Sequence, residues 1–246
     1  MAAPFAGPVY RPFRYRFVRA FCWVAVRLIL RVRVEGREHL LRTPAIYCFN
    51  HLNWTDPLVI LAALPWAPRL AMFGPREDDM SVGARNRLMR WSGMAIPFKP
   101  GMNDIIDTTR RVQRALDSGW AMGIAGEGRI HRWERELLPL ADGTAYFALR
   151  ARVPVIPVAI NGTSWLGFRR TVRIRIGAPI PAEGRANAEG VAAHSARMSA
   201  ALLALVADFP DPRPPGQFGR WLTELFNDWP GGVRPERGHE TDDPRP

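Results

Sequence analysis

The sequence holds a single lysine, Lys99, and two cysteines, Cys22 and Cys48, neither in a C-x-x-C pair nor beside a histidine cluster. So little cysteine excludes a disulfide framework and a thiolate zinc site, and it fits a reducing compartment. Long apolar runs are missing as well: no stretch reaches 18 apolar residues, so no segment reads as a membrane-spanning helix. The start, MAAPFAGPVY, lacks the basic, apolar and small-residue order of a cleaved signal peptide. Acidic residues are scarce relative to arginine, 23 Asp+Glu against 34 Lys+Arg, which leaves a net charge of +11. That balance suits an anionic partner, whether nucleic acid, a membrane surface or a phosphorylated substrate. What is present is enough for one large α/β domain: 246 residues, 47% of them hydrophobic, need no metal or disulfide to complete a core.

The charge is concentrated near the start, where residues 11–37 carry eight arginines and one acid, Glu35. Within this stretch, 17–30 (FVRAFCWVAVRLIL) is too short and too charged to cross a bilayer. It suits an amphipathic helix lying in the membrane interface, its aromatic groups at the acyl boundary and Arg19 and Arg27 reaching phosphate. A core-packed amphipathic helix is the alternative. Apolar runs at 32–34, 45–49, 69–73, 94–98, 120–124, 153–160 and 171–176 read as strands, the last alternating cleanly through Val172, Ile174 and Ile176. Helical patterns lie between them. One covers 103–118, with Asn103 as N-cap, Asp104 and Asp107 in the first turn and Gly119 as the stop, and another covers 187–208. Strands alternating with helices predict an α/β fold with a central mixed, largely parallel sheet flanked by helices, preceded by the N-terminal membrane-interfacial helix. The expected organisation is a basic membrane-associating segment at 1–37 and the main domain at 38–210. A short amphipathic helix follows at 211–229, whose face of Trp221, Leu222, Leu225, Phe226 and Trp229 is expected to dock on the domain, with contact to the membrane as the alternative, and then a disordered tail at 230–246.

The chemistry concentrates in two loops. In 45–61 (AIYCFNHLNWTDPLVIL) an apolar strand ends at Phe49, a polar loop follows, and Asp56-Pro57 opens an apolar helix, with Asp56 placed to cap it. Polar groups at the C-terminal end of a strand stand where ligands bind in open α/β sheets. If the loop curls back, the Asp56 carboxylate reaches the Nδ1–H of His51, fixes its tautomer and leaves Nε2 as a general base. The alternative is that His51 satisfies a backbone carbonyl while Asp56 only caps its helix. With no serine or cysteine beside the pair, the simplest mechanism is direct deprotonation of a substrate hydroxyl, and no third ligand suggests a metal. In the second loop, 123–132 (GIAGEGRIHR), Gly126 and Gly128 allow close backbone approach to a ligand and Arg129 offers a fork for phosphate. Two further segments complete the set. Residues 93–100 (GMAIPFKP) end a strand with Lys99, and 153–158 (VPVIPV) place Pro154 and Pro157 in an apolar strand expected to border an opening in the sheet.

Taken together these four segments resemble the glycerolipid acyltransferase family, which includes the 1-acylglycerol-3-phosphate acyltransferases. Its N-H-x-[SQ]-x-x-D block is matched by Asn50, His51 and Asp56, with Asn53 in place of the usual Ser or Gln. Gly93 to Lys99 stands for the second block, Glu127, Gly128 and Arg129 for the E-G-T-R or E-G-R block, and 153–158 for the V-P-[IV]-[IVL]-P-V strand. The resemblance implies transfer of a fatty acyl group from acyl-CoA or acyl carrier protein to a lysophospholipid hydroxyl, foremost that of 1-acyl-sn-glycerol-3-phosphate. His51 is then the base and Asp56 its orienter. Lys99, Glu127, Gly128 and Arg129 hold the acceptor's phosphate, Asn50 and Asn53 support the first loop, and no bound cofactor or metal is implied. Expected partners are the acyl donor, the lysophospholipid and an anionic membrane surface, with the protein peripheral on the cytoplasmic face and no nucleic acid involved. A different acceptor lipid, such as a lyso-ornithine lipid, or a membrane-binding pseudoenzyme of the same fold are the alternatives.

Overall fold

Alternation of short, almost wholly apolar strands with longer amphipathic segments yields a seven-stranded sheet between helices in the computed structural model, which describes residues 8–76, 83–98, 102–131, 133–210 and 215–226. Lys99 and the tail expected at 230–246 lie outside these residues. In chain order the elements are α1 (Pro12–Ile29), β1 (Leu30–Glu35), β2 (Ile46–Phe49), α2 (Asp56–Ala63), β3 (Arg69–Arg76), α3 (Gly83–Ser92), β4 (Ala95–Phe98) and α4 (Met102–Asp117). They continue with β5 (Trp120–Ala125), α5 (Gly143–Ala151), β6 (Val155–Asn161), β7 (Arg170–Ile176), α6 (Ala188–Val206) and α7 (Gln217–Phe226).

The strand order is β1-β7-β6-β2-β5-β3-β4, parallel throughout except for the β6–β7 pair. Strands β2 and β6 are buried along their whole length, as continuous apolar runs in a sheet covered on both faces require. Because β6, β2 and β5 are adjacent and parallel, their C-terminal ends come together on one edge, and the loops that leave them meet there.

Strand β6 is interior, which corrects the expectation that Pro154 and Pro157 mark a sheet opening. Pro154 precedes the strand and its carbonyl accepts from the Ile46 N–H at 3.0 Å. Pro157 pairs with Cys48, and its ring nitrogen faces the same side as the Val155 N–H. On that side the β7 ladder has ended at Val158–Ile176, and the next pairing is the isolated bridge from Val155 to Ile180. Pro157 thus sits at a break in the ladder, where a missing donor costs nothing, and its carbonyl takes the Gly177 N–H at 2.8 Å.

Helix α1 packs on α2 through Tyr15, Val18, Cys22 and Val26, which join the same core as β2, β5 and β6. Strand β1 extends the sheet beside β7. Residues 12–35 are therefore built into the domain rather than appended to it, and a division at residue 37 does not describe the molecule. Arg19 is buried, and its Nη2 donates to the carbonyls of Leu64 and Pro65, both at 2.8 Å, while Arg27 reaches the Ala62 carbonyl at 3.1 Å. Both guanidiniums satisfy the open carbonyls at the C-terminal end of α2 and meet the negative end of its dipole. These contacts correct the expectation that Arg19 reaches lipid phosphate, while Arg27 stays on the exposed surface.

At the other end of the chain, α7 docks by its small residues. The Leu166 N–H donates to Thr223 Oγ1 at 2.8 Å, and Gly219 lies against the Leu166 carbonyl. Trp221 and Leu225, expected in the docking face, point outward with Phe218. Trp229 lies outside the described residues.

Candidate functional site

The β2–α2 loop is organised by one carboxylate. Asp56 is fully buried, and its Oδ2 accepts from His51 Nδ1 at 2.9 Å, from the Leu52 N–H at 2.7 Å and from the Asn53 N–H at 2.8 Å. The expected capping role is corrected: Thr55 is the N-cap, Asp56 is the first helical residue, and its side chain turns back into the loop. Asn53 holds the turn, its Oδ1 accepting from the Thr55 N–H at 2.9 Å. Since the carboxylate accepts at Nδ1, that nitrogen carries the proton and Nε2 is left with its lone pair, the state a general base needs. Trp54 stands edge-on to the imidazole with centroids 5.5 Å apart, and Phe49 packs at 6.2 Å. His51 as a whole is 6% exposed.

Asn50 fixes the start of the loop. Its Nδ2 donates to the Ile160 carbonyl at 3.0 Å and its Oδ1 accepts from the Ile160 N–H at 2.7 Å, so one side chain adds a rung to the β2–β6 ladder beyond the strand end.

The loop after β5 braces His51 from the other side. Glu127 Oε2 accepts from the His51 N–H at 2.7 Å, and Oε1 accepts from the Leu138 N–H at 2.8 Å and meets His131 Nε2 at 2.8 Å. The His131 N–H closes the arrangement on the His51 carbonyl at 3.0 Å. Both polar groups of the His51 peptide unit are therefore held by residues 127–131. Glu127 was expected to hold acceptor phosphate; instead its oxygens are engaged by the protein, and a carboxylate repels an anion. His131, fully buried, is a site residue that the sequence reading missed, although it stands four residues after Glu127 in the quoted segment. Gly128 has φ +69° and faces open space, consistent with a turn exposed to a ligand, and Arg129 is half-buried beside it. Gly126 serves packing instead: a Cβ there would lie 2.6 Å from Cys48 Sγ.

Both cysteines are free and buried. Burial pushes the Cys48 thiol up to about 12 and the Cys22 thiol up to about 11, so both stay protonated.

A second buried carboxylate knots the loops at the end of β6. Glu134 accepts from Asn161 Nδ2, the Gly162 N–H and the Ser164 hydroxyl, and from the Ser164 N–H at 3.1 Å. Burial pushes its carboxyl above the ordinary carboxylate value, outweighing the opposing donors on Ser164 and Gly162 and the charge of Arg170. A group whose folded-state value is raised binds its proton more tightly when folded. Its stabilising contribution is full below the unfolded carboxylate range and is lost as pH rises through the raised value. Glu134→Gln is accordingly expected to flatten this part of the pH dependence. Denaturant titrations between about pH 4 and pH 7 should show wild type losing stability relative to the variant as pH rises; parallel curves would remove the assignment.

Known proteins resemble this chain in sequence and in fold. The 1-acyl-sn-glycerol-3-phosphate acyltransferase of Saccharomyces cerevisiae is 24% identical over 156 residues, 61% of this chain and 50% of that protein. The protein of the same description from Cocos nucifera is 25% identical over 150 residues, 58% of this chain and 46% of that one. The chain thus spans about half the length of these curated relatives. In fold it is similar to the 1-acyl-sn-glycerophosphate acyltransferase PlsC of Thermotoga maritima. The TM-score is 0.58 at 19% identity, covering 79% of this chain and 81% of that one. Residues 31–161, more than half of the 246 residues, match the model of the Acyltransferase family, and the chain is a member of the glycerolipid acyltransferases.

Proposed function

We propose that the protein transfers a fatty acyl group from acyl-CoA or acyl carrier protein to the free hydroxyl of a lysophospholipid, foremost 1-acyl-sn-glycerol-3-phosphate, giving phosphatidic acid. The observation that carries this reading is the 2.9 Å contact from His51 Nδ1 to a fully buried Asp56 at the C-terminal edge of the sheet. His51 Nε2 takes the hydroxyl proton as the oxygen attacks the thioester carbonyl. The C–O bond forms, the C–S bond breaks, and the departing thiolate receives the proton from the imidazolium, which Asp56 stabilises meanwhile. Glu127 and His131 position His51 through its backbone. The acceptor phosphate falls to Arg129, the turn at Gly128, and Lys99. The reaction written this way uses no bound cofactor or metal.

Delivery of a lipid acceptor needs contact with a bilayer, and among the described residues no helix is long and apolar enough to cross one. Helix α1 supports peripheral binding, which we place on the cytoplasmic face. At about 100° per residue, Phe13, Phe17, Phe21, Val24 and Leu28 fall within an arc of about 80°, roughly opposite the core-facing Tyr15, Val18, Cys22 and Val26. All five are exposed, and Arg14 and Arg16 flank the stripe. Both readings of this segment therefore apply to one helix, core-packed on one face and suited to an interface on the other.

The test is an acceptor panel. With acyl-CoA and acyl carrier protein as parallel donors, lysophosphatidate is expected to support thiol release well above lysophosphatidylcholine and lyso-ornithine lipid. Preference for another lysolipid would reassign the acceptor, and no acceptor-dependent release with any of them would favour a pseudoenzyme.

A further inference from the structure

The edge of the sheet opposite His51 carries a second concentration of charge. Arg11 and Arg14 at the start of α1, and Arg87, Arg90 and Trp91 on α3, line an open cleft of about 480 Å³. Its wall is closed where Val9 donates to the Gly93 carbonyl at 3.0 Å. Gly93 permits this approach, having φ +75° and the Val9 oxygen 2.3 Å from where a Cβ would stand. Among the described residues that line it there is no carboxylate.

Four guanidiniums facing one space repel one another unless an anion lies between them. Helix α1 adds to the effect: its first turn holds no acid and its N-cap makes no side-chain hydrogen bond, so the positive end of its dipole is uncompensated beside Arg11 and Arg14. Strand β5, six residues long, separates this edge from Glu127 and His51 by roughly 20 Å. The cleft is thus too far away to serve the reacting groups.

What adjoins it is the outward stripe of α1. Arg14 lies over the Trp91 ring at 5.2 Å, Trp91 meets Phe17 edge-on at 5.9 Å, and Phe17 stacks on Phe13 at 6.2 Å. Arginines that run into exposed aromatic rings match the order of a bilayer surface, phosphates outermost and acyl chains beneath. We propose that this cleft binds the phosphate groups of anionic phospholipid headgroups and orients the protein on the bilayer, as a site distinct from the acceptor site. Soluble phosphate esters carry the same chemistry; the aromatic continuity with α1 assigns the cleft to lipid.

The test is co-sedimentation of the full chain with vesicles of phosphatidylcholine alone or with a minor fraction of phosphatidylglycerol. Arg87→Gln/Arg90→Gln changes two exposed side chains, and its thermal unfolding reports that the fold persists. Binding to the anionic vesicles is expected to weaken roughly 10- to 30-fold, at about a kilocalorie per arginine near the surface, while the weak binding to phosphatidylcholine stays as it was. Phe13→Ser/Phe17→Ser is expected to weaken both. Anionic-vesicle binding equal to wild type in the arginine variant would overturn the proposal. So would a loss of affinity for soluble CoA or glycerol 3-phosphate with vesicle binding intact, which would make this a site for soluble phosphate. His51→Ala should bind vesicles as wild type does, so this test can be read whether or not the acyl-transfer assignment holds.

Discussion

His51→Ala is expected to lower acceptor-dependent thiol release by about 10²- to 10⁴-fold, with the fold unchanged. The size follows from what is lost. The ring is the one group in the β2–α2 loop with a basic nitrogen left available, since Asp56 occupies Nδ1. Two consequences separate loss of a base from general damage. Removing the ring leaves Asp56 Oδ2 with the Leu52 and Asn53 N–H donors and opens a small space beside Phe49 and Trp54, so the unfolding midpoint should fall by only a few degrees while the variant stays folded. The KM for donor and acceptor should also stay near wild type, because the proton transfer belongs to the transition state. Steady-state kinetics on the purified variant decide it, and turnover within a few-fold of wild type would remove His51 from the role.

Glu127→Ala is expected to cost about 10²-fold in kcat while the acceptor's KM changes little. Removing the carboxylate strands the buried N–H of His51 and the half-buried N–H of Leu138 and leaves His131 Nε2 without the oxygen it meets at 2.8 Å. Each stranded donor costs about 1–3 kcal/mol, so the loop shifts to find other partners, and a displacement of about 1 Å at a reacting group is enough for such a loss. Glu127→Gln keeps an acceptor oxygen for one of the two N–H groups and should recover part of the rate. A phosphate-binding residue behaves differently, its loss appearing in the acceptor's KM. Measurement of kcat and KM for both variants separates the two roles, and a large rise in acceptor KM at unchanged kcat would return Glu127 to the acceptor site.

The strands were legible because their buried runs are short, apolar and punctuated, and all seven fall where the pattern places them. Helix α6 falls within the expected 187–208, and the structure shows Asn187 capping it, its Oδ1 accepting from the Gly190 N–H at 2.9 Å. Helices α3 and α5 were not singled out. The first is a polar segment whose apolar positions are few, and the second is a short apolar one that resembles a strand. The pairing of His51 with Asp56 could be read from a spacing that a strand-to-helix turn closes. The roles of Glu127 and His131 could not, because their partners are backbone N–H and C=O groups of His51 and Leu138, and a sequence carries no mark of which peptide group a distant side chain satisfies. Likewise the eight arginines of 11–37 look alike as letters. Folding separates Arg19 and Arg27, which hold the end of α2, from Arg11 and Arg14, which line the cleft. The error over Pro157 has the same origin: proline does mark missing ladder pairing, but the gap lies within an interior strand, between its pairing with β7 and its bridge to Ile180.

In the proposed reaction the acceptor hydroxyl attacks the thioester with no acyl-enzyme in between, and the sharpest measurement follows thiol release and intact protein mass together after rapid mixing with acyl donor alone. The expected result is thiol at the background hydrolysis rate and no mass increase. Addition of lysophosphatidate should then release one thiol for each phosphatidate formed. A burst of thiol stoichiometric with enzyme in the absence of acceptor, accompanied by a protein heavier by one acyl group, would contradict it and require a nucleophile in the chain.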